Sequence, residues 1–186
     1  MKKILSLTLL ILFSFACQPY KDVVIDPFAP KFVTLDQTRM YFNNVRATYY
    51  DIIPHKKSSE TTTIYRYDKS VLDSTKAIIQ LHIVSIPSKD NAFIMLAPNP
   101  FFKGYQHFTV YWKNTDTNQI GEIRYKQGGM PDQFLFATEV YNLLNKEDIE
   151  YEISFGDTRT PFLTTLQERN AFRLTLVDFY RLVTLL

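Results

Sequence analysis

The stretch Ile149-Glu150-Tyr151-Glu152-Ile153-Ser154-Phe155 alternates apolar and polar side chains without a break. Successive side chains of a strand point to opposite faces, so Ile149, Tyr151, Ile153 and Phe155 define a buried face and Glu150, Glu152 and Ser154 a wet one. Upstream, runs of strand character recur at 45–53, 62–67, 76–86, 93–97, 107–113 and 119–125, with turn-forming segments at 54–61, 87–91 and 114–118. The run 107–113 is apolar on both faces, through Phe108, Val110 and Trp112 on one side and Tyr111 on the other, which suits a central strand or one covered by a helix. Composition agrees. The chain has 12 Tyr and 15 Phe but only 5 Gly, and aromatic side chains fit a pleated, half-buried surface.

Two segments break the period of two. Beyond Gly128, Gly129 and Pro131, Asp132 is a candidate N-cap for a helix over 133–146 that aligns Ala137, Val140, Tyr141 and Leu144; Phe134 to Phe136 fit a strand as well. Downstream of 155, Gly156 to Thr160 read as a polar turn before Pro161. Thr165 followed by Glu168 forms a capping box at the head of a long helix. Its apolar positions fall in two stripes, one of Phe172, Leu176, Phe179, Val183 and Leu186, the other of Leu174, Val177, Leu182 and Leu185. Arg169, Arg173, Asp178 and Arg181 argue against a membrane span, since each charge placed centrally costs about 2.5 to 3.5 kcal/mol. The expected fold is therefore α+β: a single β-rich domain over 32–186, mainly antiparallel sheet or sandwich, with the C-terminal helix packed on it. The segment 32–42 has no decisive period.

The N-terminus carries an address. Lys2 and Lys3 precede an apolar run from Ile4 to Phe13, then Ser14, Phe15, Ala16 and the only cysteine, Cys17. The run is too short to cross a bilayer, which takes about 20 apolar residues. A basic n-region, a short apolar h-region and a small residue before the cut are the parts of an export signal. The arrangement of Ala16 and Cys17 resembles the lipobox of bacterial lipoproteins, with Ser14 and Phe15 departing from the usual Leu and small residue. The resemblance implies a signal peptide over 1–16 removed by signal peptidase II and a diacylglyceryl group on the Cys17 sulfur. It also implies acyl chains of the palmitate kind, an anchor without a transmembrane helix, and, with Gln18 in place of Asp, the outer membrane of the cell envelope. Gln18, Pro19 and Tyr20 in place of acidic residues favour the periplasmic leaflet over the cell surface. The Lys, Asn, Ile, Tyr and Phe bias is similar to small lipoproteins of the Bacteroidota. Residues 17–31, with Pro19, Pro27 and Pro30, read as a tether; Val23, Val24, Ile25 and Phe28 also allow part of it to lie along the domain as an edge strand.

Charge excludes one class of partner. The chain has 21 Lys plus Arg and 19 Asp plus Glu; removal of Lys2 and Lys3 leaves 21 − 2 = 19 against 19, and a neutral domain is no nucleic-acid binder. With one cysteine no intrachain disulfide forms. His55, His82 and His107 are too far apart for a zinc-ligand motif, no nucleotide-binding glycine pattern exists, and neither a metal nor a cofactor is expected.

What remains is binding. The leading expectation is a non-enzymatic accessory or scaffold subunit that binds an envelope protein through the second stripe of the last helix and its neighbours: Phe172, Leu174, Leu182 and Leu185. The alternative is capture of a glycan or small ligand on aromatic platforms, with Tyr65 and Tyr67 on one strand face as candidates. Glu150 and Glu152 put two carboxylates on one face, and a lipid-anchored hydrolase is the third reading.

Overall fold

The structure, a computed structural model, describes residues 23–53 and 62–184. The expected signal peptide, Cys17, the first part of the expected tether, His55 and Leu185 lie outside the described residues.

A short helix, α1 (Asp36–Tyr41), runs directly into a π-helical turn, Phe42–Arg46, and a 3-10 turn, Ala47–Tyr49. Four strands follow: β1 (Tyr50–Ile53), β2 (Thr63–Tyr67), β3 (Ile79–Ile86) and β4 (Asn91–Pro98), paired antiparallel in the order β1-β2-β3-β4. The second half contributes β5 (Phe108–Asn114), β6 (Ile120–Tyr125), helix α2 (Met130–Leu144), β7 (Ile149–Phe155), β8 (Thr158–Pro161) and helix α3 (Leu166–Leu182). Its sheet has the order β6-β5-β7-β8, also antiparallel. The α+β class and the C-terminal helix are thus present, and β5 is the central strand its two-faced apolarity requires.

The alternation in β7 sets the inner face of the second sheet. Val110 stands opposite Ile153 and Ile123, and Trp112 opposite Tyr151 and Gly121. Helix α2 links the sheets: its Gln133 Oε1 accepts from the Leu96 N–H of β4 (2.8 Å), while Phe136 packs on Phe108 and Tyr125. Helix α3 lies on β3 and β4, and its Phe179 meets Phe134 of α2 edge to face. One apolar cluster runs from Ile25 to Val183.

Four sequence readings need correction. The strand expected over 45–53 begins only at Tyr50. Val45 has strand propensity, but burial of Phe42 and the hold on Arg46 described below keep the chain helical to Tyr49. The polar stretch after Gly156 is not only a turn: Phe155 pairs with Thr158 and β8 forms an edge strand whose side chains show no burial pattern. Gly156 sits at φ +53°, where a side chain is strained, and a Cβ there would also make the outer end of the exposed Tyr105 ring shift, so the hairpin favours glycine. The N-cap of α2 is Gly129, with Asp132 three positions in, its Oδ2 accepting from the Gly129 N–H (2.9 Å); Phe134 to Phe136 are helical. Finally, residues 23–31 lie along the domain, as one reading allowed, but not as a strand. Ile25 is 1% exposed, Tyr141 Oη–H donates to the Val23 carbonyl (2.8 Å) and Asn142 Nδ2 to that of Ile25 (3.4 Å). The first β contact is a single bridge from Val33 to Asn91.

Candidate functional site

The stripe residues of α3 are core. Phe172 is 3% exposed and Leu182 2%, and Leu174 is half-buried against the same cluster. The reason is that α3 is packed within the chain on several sides, against β3 and β4, against α2, and against α1 and the π turn. Phe172, Leu174 and Leu182 are therefore no free docking surface, and Leu185 lies outside the described residues. Tyr67 is buried and Tyr65 half-buried, in an aromatic group with Phe42 and Tyr50. That corrects their assignment as an exposed platform: strand alternation put both on one face correctly, but the face is the one that the π turn covers.

The covering segment is the feature that sequence periodicity missed. It is fastened from below by an ion pair. Asp178 of α3, 1% exposed, accepts from Arg46 twice, Nε to Oδ1 and Nη2 to Oδ2, each 2.8 Å, and from the Tyr50 hydroxyl (2.8 Å). Burial, then the Asp178 charge, pushes the Tyr50 phenol well above its usual range, so it stays a donor. The outer side of Arg46 lies 4.8 Å from the centroid of the Tyr49 ring. The other end of the segment is tied by Arg39, which pairs with Asp36 and with Asp90 at the β3–β4 turn.

Its outer side is mixed, with apolar side chains exposed beside Asn43, Asn44 and Thr48. Tyr41, Val45 and Tyr49 recur every four residues, spaced as neighbours on one helical face, and are 44%, 46% and 42% exposed; Met40 and Ile52, on the same segment and on β1, are exposed as well. Of the thirteen large hydrophobic side chains exposed among the described residues, nine lie between Val24 and Ile52. Scattered apolar side chains on a surface mean little, but contiguous ones mark contacts. The sequence signal for it was the four-residue spacing of Tyr41, Val45 and Tyr49, hidden because 45–53 reads equally as a strand.

The remaining candidates are elsewhere. Glu150 and Glu152 do share the solvated face of β7 and border a groove of ≈ 590 Å³ with Tyr111, Lys113, Glu122 and Arg159. Arg159 binds Glu152 and lies over the Tyr111 ring, 4.2 Å from its centroid, so the carboxylate is paired and the aromatic face occupied. Among the described residues no three His, Cys, Asp or Glu side chains gather as a metal-binding group, and no helix is long and apolar enough to cross a membrane.

His82 lies on the other face of β3, buried, with Nε2 3.2 Å from Gln80 Oε1 and Nδ1 without a partner among the described residues. Burial, then the charge of Arg66, pushes its pKa down to about 4. Between the unfolded value of about 6.5 and the folded one, the unfolded chain takes up a proton that the folded chain refuses, so stability falls as pH falls through that window. His82→Leu is expected to remove roughly 2 kcal/mol of the stability difference between pH 7 and pH 5, read from urea midpoints of both proteins at both pH values. An unchanged difference would mean that His82 is protonated in the fold.

Comparison of the chain with models of known protein families, with curated protein sequences and with solved structures gave no match.

Proposed function

We propose that this chain is a non-enzymatic lipoprotein of the cell envelope, held on the outer membrane by lipid on Cys17, and that it serves as an accessory subunit docking an envelope protein on the stripe Tyr41, Val45 and Tyr49, together with Met40 and Ile52. The observation that carries the docking part is the apolar exposure of that stripe on a segment fixed by Asp178. Such a rigid surface loses little conformational freedom on binding, which favours affinity. The anchoring part rests on the Lys2-to-Cys17 signal. Two acyl chains suffice for stable anchoring, at roughly 0.8 kcal/mol per buried methylene.

Two variants test the two parts. Cys17→Ala is expected to move the protein from sedimenting membranes to the soluble periplasmic fraction; unchanged sedimentation would sink the lipid anchor. Val45→Asp puts a charge in the centre of the stripe without touching Asp178. In a mild-detergent pull-down of the tagged protein, a stoichiometric membrane-protein partner is expected with the wild type and at least tenfold less of it with Val45→Asp. Equal recovery would rule out this face as the docking surface.

A further inference from the structure

We infer that the segment from Val24 to Phe28, which ends in the Asp26–Ala29 turn, is a membrane-contact site that seats the domain against the lipid surface in one orientation, an inference that rests on the lipid anchor at Cys17. Val24 is 88% exposed and Phe28 80%, more than any other large hydrophobic side chain of the described residues. Neither is on a floppy end. Between them Ile25 is 1% exposed in the core, and its carbonyl and that of Val23 are held by Asn142 and Tyr141 of α2. The turn itself is closed by the Phe28 N–H on Asp26 Oδ1 (2.9 Å) and the Ala29 N–H on the Asp26 carbonyl (3.3 Å). The backbone is therefore fixed in a form that points two apolar side chains away from the protein, and Ile25 cannot turn outward to exchange with them without emptying its place in the core.

Chain length selects the occupant. Seven peptide steps separate Cys17 from Val24, and at no more than ~3.6 Å each they reach about 25 Å. A domain of this size is roughly 40 Å across. With lipid on Cys17 the tether is shorter than the domain is wide, so the end that bears Val24 stays near the bilayer and the far end cannot replace it. Apolar side chains held that close to acyl chains gain by entering the interface. The one acid of the turn, Asp26, has its Oδ1 turned to the Phe28 N–H, and Lys31 follows on the exposed surface. The acyl chains hold the protein to the membrane; the turn determines which way it faces, and the Tyr41–Val45–Tyr49 stripe, on the same N-terminal segment, is thereby held at a set height above the membrane.

The test uses the lipidated full-length protein. A thioether at Cys17 leaves no free thiol, so Val24→Cys and Phe28→Cys each offer one site for an environment-sensitive fluorophore, and Ile120→Cys and Leu166→Cys, exposed positions elsewhere, serve as controls. The labelled proteins are reconstituted in vesicles of phosphatidylethanolamine and phosphatidylglycerol, with and without brominated acyl chains. At least twofold quenching by the brominated chains is expected at positions 24 and 28, and none at 120 and 166. Water-like, unquenched emission at 24 and 28 in a protein of lipidated mass would overturn the seating while leaving the anchor intact. The same result in vesicles together with a blue shift in native envelope membranes would give the turn to a protein partner and equally overturn it. An unmodified intact mass would remove the anchor and the seating together.

Discussion

Asp178→Ala is expected to lower stability by about 3 to 5 kcal/mol, the cost of leaving one member of a buried ion pair without its partner. The carboxylate accepts from both the Arg46 guanidinium and the Tyr50 hydroxyl, and it is 1% exposed. Its removal leaves the Arg46 guanidinium, whose side chain is only 19% exposed, and the buried Tyr50 hydroxyl without that acceptor. For a domain of this size about 10 °C of melting temperature is at stake, at roughly 2 to 4 °C per kcal/mol. Replacing the pair by Arg46→Met with Asp178→Leu is expected to cost less than Asp178→Ala alone, since neither charge is then buried unpaired. Thermal and urea melts of the three proteins decide. A loss below about 1 kcal/mol for Asp178→Ala would mean that Arg46 turns to solvent and that the pair contributes little. Because the same carboxylate fastens the segment that bears Tyr41, Val45 and Tyr49, amides of 42–50 are expected to exchange faster in the variant, and partner capture to fall with them.

The residues that were read correctly share one property: their burial follows from local period. In β7 every second side chain is buried, and the chain shows it. In α3 Thr165 and Glu168 exchange the expected bonds, Glu168 N–H to Thr165 Oγ1 and Thr165 N–H to Glu168 Oε2, both 3.2 Å. The misread residues are those whose conformation is decided by distant partners. Val45 to Tyr49 are helical because Arg46 reaches Asp178, 132 positions away. Tyr65 is covered because Phe42 lies on it, and Tyr67 because Tyr50 does. The strand β8 exists because β7 offers it an edge, not because Thr158 to Pro161 favour it. Periodicity points to α3 as a docking helix because it is apolar over much of its circumference. Such a helix is buried on several sides, and the unpaired apolar side chains belong instead to the segment that buries it.

Ending the chain before Thr165 is expected to abolish the fold. Phe172, Leu176, Val177, Phe179 and Leu182 are each 3% exposed or less, and burying a side chain of that kind contributes about 1.5 to 3 kcal/mol. Five of them amount to roughly 10 kcal/mol, comparable with the whole stability of a domain, about 5 to 15 kcal/mol. The helix also satisfies backbone acceptors elsewhere in the fold. Arg169 donates to the carbonyls of Leu163 (2.7 Å) and Ile149 (3.2 Å), and Arg173 to that of Leu144 at the end of α2, where a cation also meets the negative end of the helix dipole. Glu168 pairs with Lys76 ahead of β3. Loss of near-UV dichroism and of amide dispersion in the truncated protein is the expected result, whereas a folded, soluble truncation would place α3 outside the core. Phe179→Ala is the graded form of the same experiment. Its ring, fully buried against Phe134, leaves a cavity that the two helices cannot close without losing their contacts with β4. A loss of about 3 to 5 kcal/mol is therefore expected, with the fold retained, which separates removal of packing from removal of the chain that carries it.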